Sequence, residues 1–260
     1  MAVTPEQAQG YIERGWWTSD RLGDLIGTRA QQFSDRELFS FEDRRISYGQ
    51  FDSWVNRIAA ELISLGVRPG DRVVVQLPNC LEALAMQVAA FRIGALDVPV
   101  IPIYREHETA QIIDDCRPAV IAVAAVIGSR TPHQEIDRIL DELGHHPRVR
   151  YLVDGAAPGW SPVPPLDVEG PECLPDLPDP ASADSPAVVL YTSGTTSAPK
   201  GAILTSRSLF AHLRNMAQVA SLDETTVIAA GTPLSHLSGF VAGLLLPAFL
   251  GSRSVILAGW

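Results

Sequence analysis

The chain has 260 residues, of which 46% are hydrophobic and 19% are charged, and its formal net charge is −10. This length and apolar content predict one large or two modest hydrophobic cores and exclude a disordered chain. The acidic balance argues against a nucleic-acid-binding protein, because phosphate backbones are held by clustered lysine and arginine side chains.

The sequence carries no targeting or membrane signal. Its N-terminus contains Glu6 and Glu13 and lacks a continuous apolar run, which excludes a secretory signal peptide. The apolar stretch 240–250 is too short to span a bilayer. The three cysteines lie far apart, without metal-ligand spacing: Cys80, Cys116 and Cys173. Such a set is typical of reduced thiols, so we expect a soluble, cytoplasmic protein.

The first 153 residues alternate between predicted strands and helices. A short helix near Leu22 is followed by a predicted hairpin at 39–46. Ser47, with Gln50 three residues later, has the spacing of a capping box and predicts a helix start. Asn79 and Glu82 repeat that spacing. The remaining predicted strands are 73–77, 96–103, 120–126 and 149–153, and the helices are 79–94, 106–116 and 136–143.

The second part of the chain follows a proline-rich segment. Residues 154–186 contain nine prolines and little periodicity, which predicts a connector that lies over the surface. Predicted elements then resume as strands at 188–191, 202–204, 226–229 and 254–257 and helices at 206–220 and 240–250. We therefore expect an α/β fold with sheets flanked by helices, divided into a first subdomain (1–153), a connector (154–186) and the start of a second subdomain (187–260).

A dense polar loop follows the connector. Residues 191–201 read Tyr-Thr-Ser-Gly-Thr-Thr-Ser-Ala-Pro-Lys-Gly between two apolar runs. Hydroxyls and backbone N–H groups in such a loop can surround an anion, with Lys200 as a point charge. A Walker-type nucleotide loop fits poorly, because Pro199 replaces its second glycine and Gly201 its metal-binding Ser/Thr. From the residues alone, a plain hairpin turn with a solvated lysine remains the alternative.

The stretch 191–201 closely resembles the phosphate loop of the adenylate-forming superfamily, which includes acyl-CoA synthetases, peptide-synthetase adenylation domains and luciferases. One departure is Ser197, where the family usually has a second glycine. Four more segments resemble the family, so the resemblance covers nearly the whole chain: 46–51, 66–73, 91–95 and 232–239.

The resemblance implies an ATP-dependent carboxylic acid–CoA ligase that forms an acyl-adenylate and then an acyl-CoA, using ATP, Mg²⁺ and coenzyme A. A weaker likeness at 102–108 points to fatty or alicyclic acids. The implied ATP phosphate-binding residues are Thr192, Ser193, Gly194, Thr195, Thr196, Ser197 and Lys200. Thr192 is also the implied magnesium ligand. His236 is the implied catalytic residue, between the acyl pocket and the α-phosphate.

The chain ends at Trp260, well short of the usual end of the family. We therefore expect an N-terminal portion that is inactive alone, and a pyrophosphate-exchange assay with a panel of acids tests this expectation. It would act as a homodimer or with a missing C-terminal half, which apolar surface at 240–260 would accommodate. Two alternatives stay open: a non-catalytic nucleotide- or acyl-binding module, and an adenylating enzyme that loads an acyl carrier protein.

Overall fold

A computed structural model describes residues 3–168, 171, 174, 181–192 and 199–258. Within these residues, two sheets contain ten strands. The strands are β1 (Glu37–Phe41), β2 (Arg44–Ser47), β3 (Arg72–Gln76), β4 (Leu96–Pro99), β5 (Val120–Ala124), β6 (Val149–Val153), β7 (Pro186–Thr192), β8 (Lys200–Thr205), β9 (Val227–Ala230) and β10 (Arg253–Ile256).

Helices precede and separate these strands. They are α1 (Pro5–Glu13), α2 (Leu22–Phe33), α3 (Tyr48–Ser64), α4 (Leu81–Arg92), α5 (Glu106–Cys116), α6 (Pro132–Leu143), α7 (Ser206–Val219), α8 (Leu237–Phe240) and α9 (Leu246–Leu250). A π-helical turn, Val241–Leu245, joins α8 to α9. Of the described helices, none is long and apolar enough to cross a membrane.

The larger sheet has the order β6-β5-β3-β4-β7-β8, with β8 antiparallel to β7 and the other neighbours parallel. A parallel sheet is buried on both faces, so alternate side chains enter different cores. Val74 and Ile121 pack in one core with side chains of α5 and α6. Val73 and Val75 pack in the other, which contains α3 and α4. The predicted α/β class is confirmed.

The smaller sheet has the order β2-β1-β10-β9, in which β10 lies parallel to both β1 and β9. Side chains from the N-terminal region bind the backbone just before β10. The Tyr48 hydroxyl lies 3.0 Å from the Pro247 carbonyl oxygen and 2.7 Å from that of Ser252. The Arg36 guanidinium donates to the Gly251 carbonyl oxygen at 2.8 Å. Residues near the start of the chain, Arg36 and Tyr48, therefore hold the backbone that leads into β10.

Strands from both sides of the predicted connector share sheets: β4 pairs with β7, and β1 with β10. The division at 154–186 stays a prediction. Part of this segment packs inward: Trp160 is buried in the α5–α6 core, and the Trp54 indole donates to the Pro164 carbonyl oxygen at 2.6 Å. The prediction of a connector lying wholly over the surface is therefore wrong for these residues, because their apolar and carbonyl groups find partners in the core.

Two helix starts with the same sequence spacing differ in the structure. At α3 the predicted capping box is present: the Ser47 hydroxyl accepts from the Gln50 N–H, and the Gln50 side chain accepts from the Ser47 N–H. At α4 the prediction is wrong, since Cys80 is the N-cap residue and makes no side-chain cap. The Asn79 amide instead makes three bonds to distant backbone.

The predicted helix 240–250 is interrupted by the π-helical turn, and Pro247, which has no N–H to donate, lies just after that turn. Phe240 is fully buried and Val241 is 3% exposed. The expected apolar surface is therefore wrong for 240–248, where most side chains belong to the core; Leu257, at 45% exposure, is an exposed large apolar residue nearby. Cys80 and Cys116 are free and buried, and Cys173 lies outside the described residues.

Candidate functional site

The β7–β8 hairpin places two of the predicted phosphate-binding residues side by side. Thr192 and Lys200 are direct partners in its antiparallel register, and both are exposed. Opposite residues of an antiparallel pair project on the same face, so the Thr192 and Lys200 side chains lie on the same face of the hairpin. The other predicted phosphate-binding residues lie outside the described residues: Ser193, Gly194, Thr195, Thr196 and Ser197.

Lys200 is the only lysine in the 260-residue sequence. Among the described residues, no ion pair involves its ammonium group. The Thr192 hydroxyl donates to the Lys200 carbonyl oxygen at 3.5 Å. A solvated cation beside this exposed hydroxyl is suited to an external anion such as a phosphate group. The described part of the chain has no group of three or more His, Cys, Asp or Glu side chains that could hold a metal ion. The role of Thr192 as a magnesium ligand therefore stays a prediction.

Tyr191 anchors the base of the hairpin to a helix of the larger sheet. Its ring is buried, and its hydroxyl donates to the Asp115 carboxylate on α5 at 2.5 Å. Burial raises the pKa of Tyr191, and the bond to Asp115 raises it further. The tyrosine therefore stays neutral and keeps donating. Sequence reasoning missed Asp115, because nothing in the pattern of α5 separates it from neighbouring exposed acids.

Replacing Tyr191 by phenylalanine is expected to lower the free energy of unfolding by about 1 kcal/mol, the usual value for one lost hydrogen bond. The cost stays modest because Asp115 is exposed and its carboxylate regains water. Urea unfolding measures the effect. Tyr11→Phe is the matched control, since the Tyr11 hydroxyl has no hydrogen bond among the described residues. Equal stability of the Tyr191 variant and the unaltered chain would show that this anchor is not formed.

Gly201, which follows Lys200, lies where a larger residue would collide with its neighbours. A Cβ atom at Gly201 would lie 2.8 Å from Val189 Cγ1 and 3.4 Å from two ring carbons of Tyr191. Both neighbours are partly fixed, because Val189 belongs to the sheet and the Tyr191 hydroxyl is held by Asp115. Gly201 therefore leaves room for the tyrosine that anchors the hairpin.

His236 lies on another segment, six residues after β9 and at the start of α8. Its backbone N–H donates to the Pro233 carbonyl oxygen at 2.9 Å, which closes a tight turn. Its Nδ1 accepts the backbone N–H of Ser238 at 3.3 Å and lies 2.9 Å from the Ser238 hydroxyl. Because Nδ1 is an acceptor, the neutral ring carries its proton on Nε2. The exposed side chain thus offers Nε2–H as a donor.

The hairpin and the histidine have related positions in the two sheets. Thr192 ends β7, and His236 follows the carboxyl end of β9. Ligands of open α/β sheets bind beyond the carboxyl ends of the strands. In the described part of the chain, no hydrogen bond or ion pair joins His236 to Thr192 or Lys200. The structure therefore brings the threonine and lysine together and leaves the histidine as a separate element of the candidate site.

The sequence pattern of the family described as "AMP-binding enzyme" matches residues 26–260. The chain is 27% identical over 99% of its length to the medium-chain fatty-acid–CoA ligase of Escherichia coli K12 and covers 45% of that protein. It is 29% identical over 96% of its length to the 2,3-dihydroxybenzoate-AMP ligase of Bacillus subtilis and covers 46% of it. The chain thus spans about half the length of these curated relatives.

The fold is also similar to that of solved structures. The apo structure of Mycobacterium smegmatis MbtA superposes with a TM-score of 0.83 at 27% sequence identity. The similarity covers 98% of this chain and 47% of that one. Both sheets described above therefore belong to the shared architecture.

Proposed function

The chain belongs to the family of AMP-binding enzymes, and from that membership we propose that it contributes the phosphate-binding hairpin and part of the substrate pocket of an ATP-dependent carboxylic acid–CoA ligase. One observation supports this most: the Thr192 hydroxyl and the Lys200 ammonium flank the loop at 193–199, and Lys200 has no carboxylate partner among the described residues. That arrangement suits the pyrophosphate end of ATP.

In the first half-reaction, a carboxylate oxygen of the acid attacks the α-phosphorus of ATP. The bond from that phosphorus to the bridging oxygen breaks, which gives an acyl-adenylate and pyrophosphate. Negative charge accumulates on the leaving pyrophosphate, where the Lys200 ammonium lowers its energy. Magnesium bound with ATP would add charge neutralisation there, with the Thr192 hydroxyl as a neutral oxygen ligand. The protein provides positioning and charge, and no protein nucleophile is needed.

In the second half-reaction, the thiol sulfur of coenzyme A attacks the acyl carbon. The bond from that carbon to the AMP oxygen breaks, AMP leaves with the electron pair, and the thiol proton passes to solvent. The Nε2–H of His236 is the donor that this chain offers to the acyl oxygen or the α-phosphate. Held by the Ser238 contacts at Nδ1, it would orient the substrate carboxylate before adenylation.

The acid is proposed to be fatty or alicyclic. An acyl carrier protein is the alternative acceptor to coenzyme A, and the similarity to a relative named a salicyl-AMP ligase / salicyl-S-ArCP synthetase supports retaining this possibility. Because the N-terminal portion is expected to be inactive alone, a non-catalytic binding module differs from either enzyme in turning over no acid even when the C-terminal half is supplied. The cytoplasmic location, and a homodimer or a separate C-terminal half as partner, stay predictions.

Replacing Lys200 by alanine is expected to weaken binding of Mg²⁺–ATP and Mg²⁺–pyrophosphate about tenfold or more, since a charge-assisted contact to phosphate is lost. The fold should be unchanged, because Lys200 is exposed. Isothermal titration calorimetry measures both affinities. Arg45→Ala is the control, since it removes one exposed positive charge from β2. Equal affinities of Lys200→Ala and the unaltered protein would remove Lys200 from the phosphate site.

A further inference from the structure

The Asn79 side chain joins the two sheets at the place where their strands end. Its Nδ2 donates to the carbonyl oxygens of Thr232 at 3.1 Å and Leu257 at 3.0 Å. Its Oδ1 accepts the backbone N–H of Leu234 at 2.8 Å. The residue is 8% exposed. Both amide hydrogens and the amide oxygen are thus used inside the protein, on three backbone groups that are distant in sequence.

Asn79 and its partners follow three different strands. Asn79 lies three residues after β3 in the larger sheet. Thr232 lies two residues after β9, and Leu257 directly follows β10, both in the smaller sheet. One buried amide therefore ties together the carboxyl ends of strands from both sheets. In α/β proteins this is the edge at which ligands bind.

The bonds converge on the segment that precedes His236. Asn79 binds the Leu234 N–H, and the Gln87 side chain donates to the Leu234 carbonyl oxygen at 3.4 Å. The Leu234 side chain is 1% exposed, so it is fixed by packing as well. His236 is two residues further on, and its own N–H bonds to Pro233 within the same turn. The position of the imidazole is therefore set by the backbone that Asn79 holds.

The Asn79–Glu82 spacing predicts that Asn79 caps a helix, but capping does not account for the hydrogen bonds of the Asn79 side chain. Helix α4 begins at Leu81, its N-cap is Cys80, and no side chain caps it. The Asn79 amide makes no capping hydrogen bond to the start of α4. It binds the 232–234 segment and Leu257 instead. These hydrogen bonds are those expected of a side chain that fixes the 232–234 loop beside the end of β10.

We propose that Asn79 is a positioning residue for His236: it fixes the turn at 232–236 so that the histidine keeps its Nδ1 bonded to Ser238 and its Nε2–H free for substrate. The importance of this for adenylation rests on the proposed function. The geometric part of the proposal does not, since it concerns only the unliganded chain.

Histidine-selective ¹⁵N NMR of the chain tests the proposal. In the unaltered protein His236, assigned with a His236→Gln variant, should show the Nε2–H tautomer. In Asn79→Ala the signature should be lost, with averaged Nδ1 and Nε2 shifts, because the turn no longer holds the ring against Ser238. His145, whose Nε2 lies 2.8 Å from the Pro118 carbonyl oxygen, is the internal reference and should not change. Asn56→Ala is the matched control, since that amide binds Arg92 on α4.

A folded Asn79→Ala protein in which His236 keeps its tautomer would overturn the proposal, even if the variant is less stable. Amide hydrogen exchange in the unaltered protein tests the same contact if the variant does not fold. The Leu234 amide should exchange at least about tenfold more slowly than an unprotected amide, because its partner is the buried Asn79 oxygen. Exchange at the unprotected rate would also overturn the proposal. Neither measurement uses a nucleotide, so failure here is distinct from failure of the ligase proposal.

Discussion

Substituting Gly239 by alanine is expected to lower the free energy of unfolding by about 3 kcal/mol, the upper range for overpacking a buried site. A Cβ atom there would lie 2.0 Å from the Pro233 carbonyl oxygen, 2.5 Å from its carbonyl carbon and 2.8 Å from the Thr232 carbonyl oxygen. All three are backbone atoms, so no side-chain rotation relieves the contact. The turn that carries His236 must shift, and its bond from the His236 N–H to Pro233 must break or lengthen.

Urea unfolding of the variant measures this loss. Gly10→Ala is the control, because Gly10 lies inside α1 and a Cβ atom there meets nothing within 4 Å. That variant should be unchanged or up to about 1 kcal/mol more stable, as alanine favours helix. If Gly239→Ala were as stable as Gly10→Ala, the described turn at 232–239 would be wrong.

Substituting Asp97 by asparagine is expected to stabilise the protein by an amount that grows with pH. Asp97 lies in β4 between Val73 and Val188, is fully buried, and has no hydrogen-bond partner for either carboxylate oxygen among the described residues. Burial raises the pKa of Asp97 well above its usual value. The folded protein therefore keeps this carboxyl neutral at pH values where the unfolded chain has already lost the proton.

The direction of the pH dependence of stability follows from the number of protons that each state binds. Above the pKa of an unfolded aspartate, the unfolded state releases a proton that the folded state retains, so rising pH favours unfolding. The loss is about 1.4 kcal/mol per pH unit until the pH reaches the raised pKa of the folded protein. Asparagine does not titrate, so the stability difference between Asp97→Asn and the unaltered chain should widen from pH 5 to pH 8.

Urea unfolding across that pH range provides the measurement. Asp223→Asn serves as a control of opposite sign, since hydrogen bonds from Thr225 and then Thr226 lower the pKa of this exposed carboxylate. Its contribution is present above the unfolded pKa and disappears only on acidification below that pKa, so the difference between Asp223→Asn and the unaltered chain should stay constant from about pH 5 to pH 8. Parallel stability curves for Asp97→Asn and the unaltered protein would show that Asp97 is ionised in the fold.

Local patterns predicted much of the architecture. The alternation of apolar strands and amphipathic helices gives the α/β class, and the Ser47–Gln50 spacing marks the start of α3 correctly. Both signals depend on neighbours within a few residues, which is why they can be read from sequence. The pairing of β1 with β10 carries no such signal, because it depends on contacts between residues more than 200 positions apart.

At the candidate site, too, the sequence predicts local features and not contacts between distant residues. The composition around Thr192 and Lys200 is unusual enough to predict an anion site, and the structure places these two residues opposite each other. Asp115 was missed, and Gly239 was included only as the end of the matching segment 232–239, since their roles arise from a bond and a close approach formed only on folding. At Asn79 the local capping signal was wrong, because the amide forms tertiary hydrogen bonds that replace the cap.

Chemical modification of Lys200 tests the central claim most directly. Since the chain has a single lysine, an amine-reactive reagent can modify only Lys200 and the terminal amine, and peptide mass spectrometry separates the two. A phosphate site predicts that saturating Mg²⁺–ATP slows modification of Lys200 about tenfold or more while the terminal amine reacts at its usual rate. Modification of Lys200 at the same rate with and without Mg²⁺–ATP would contradict the account.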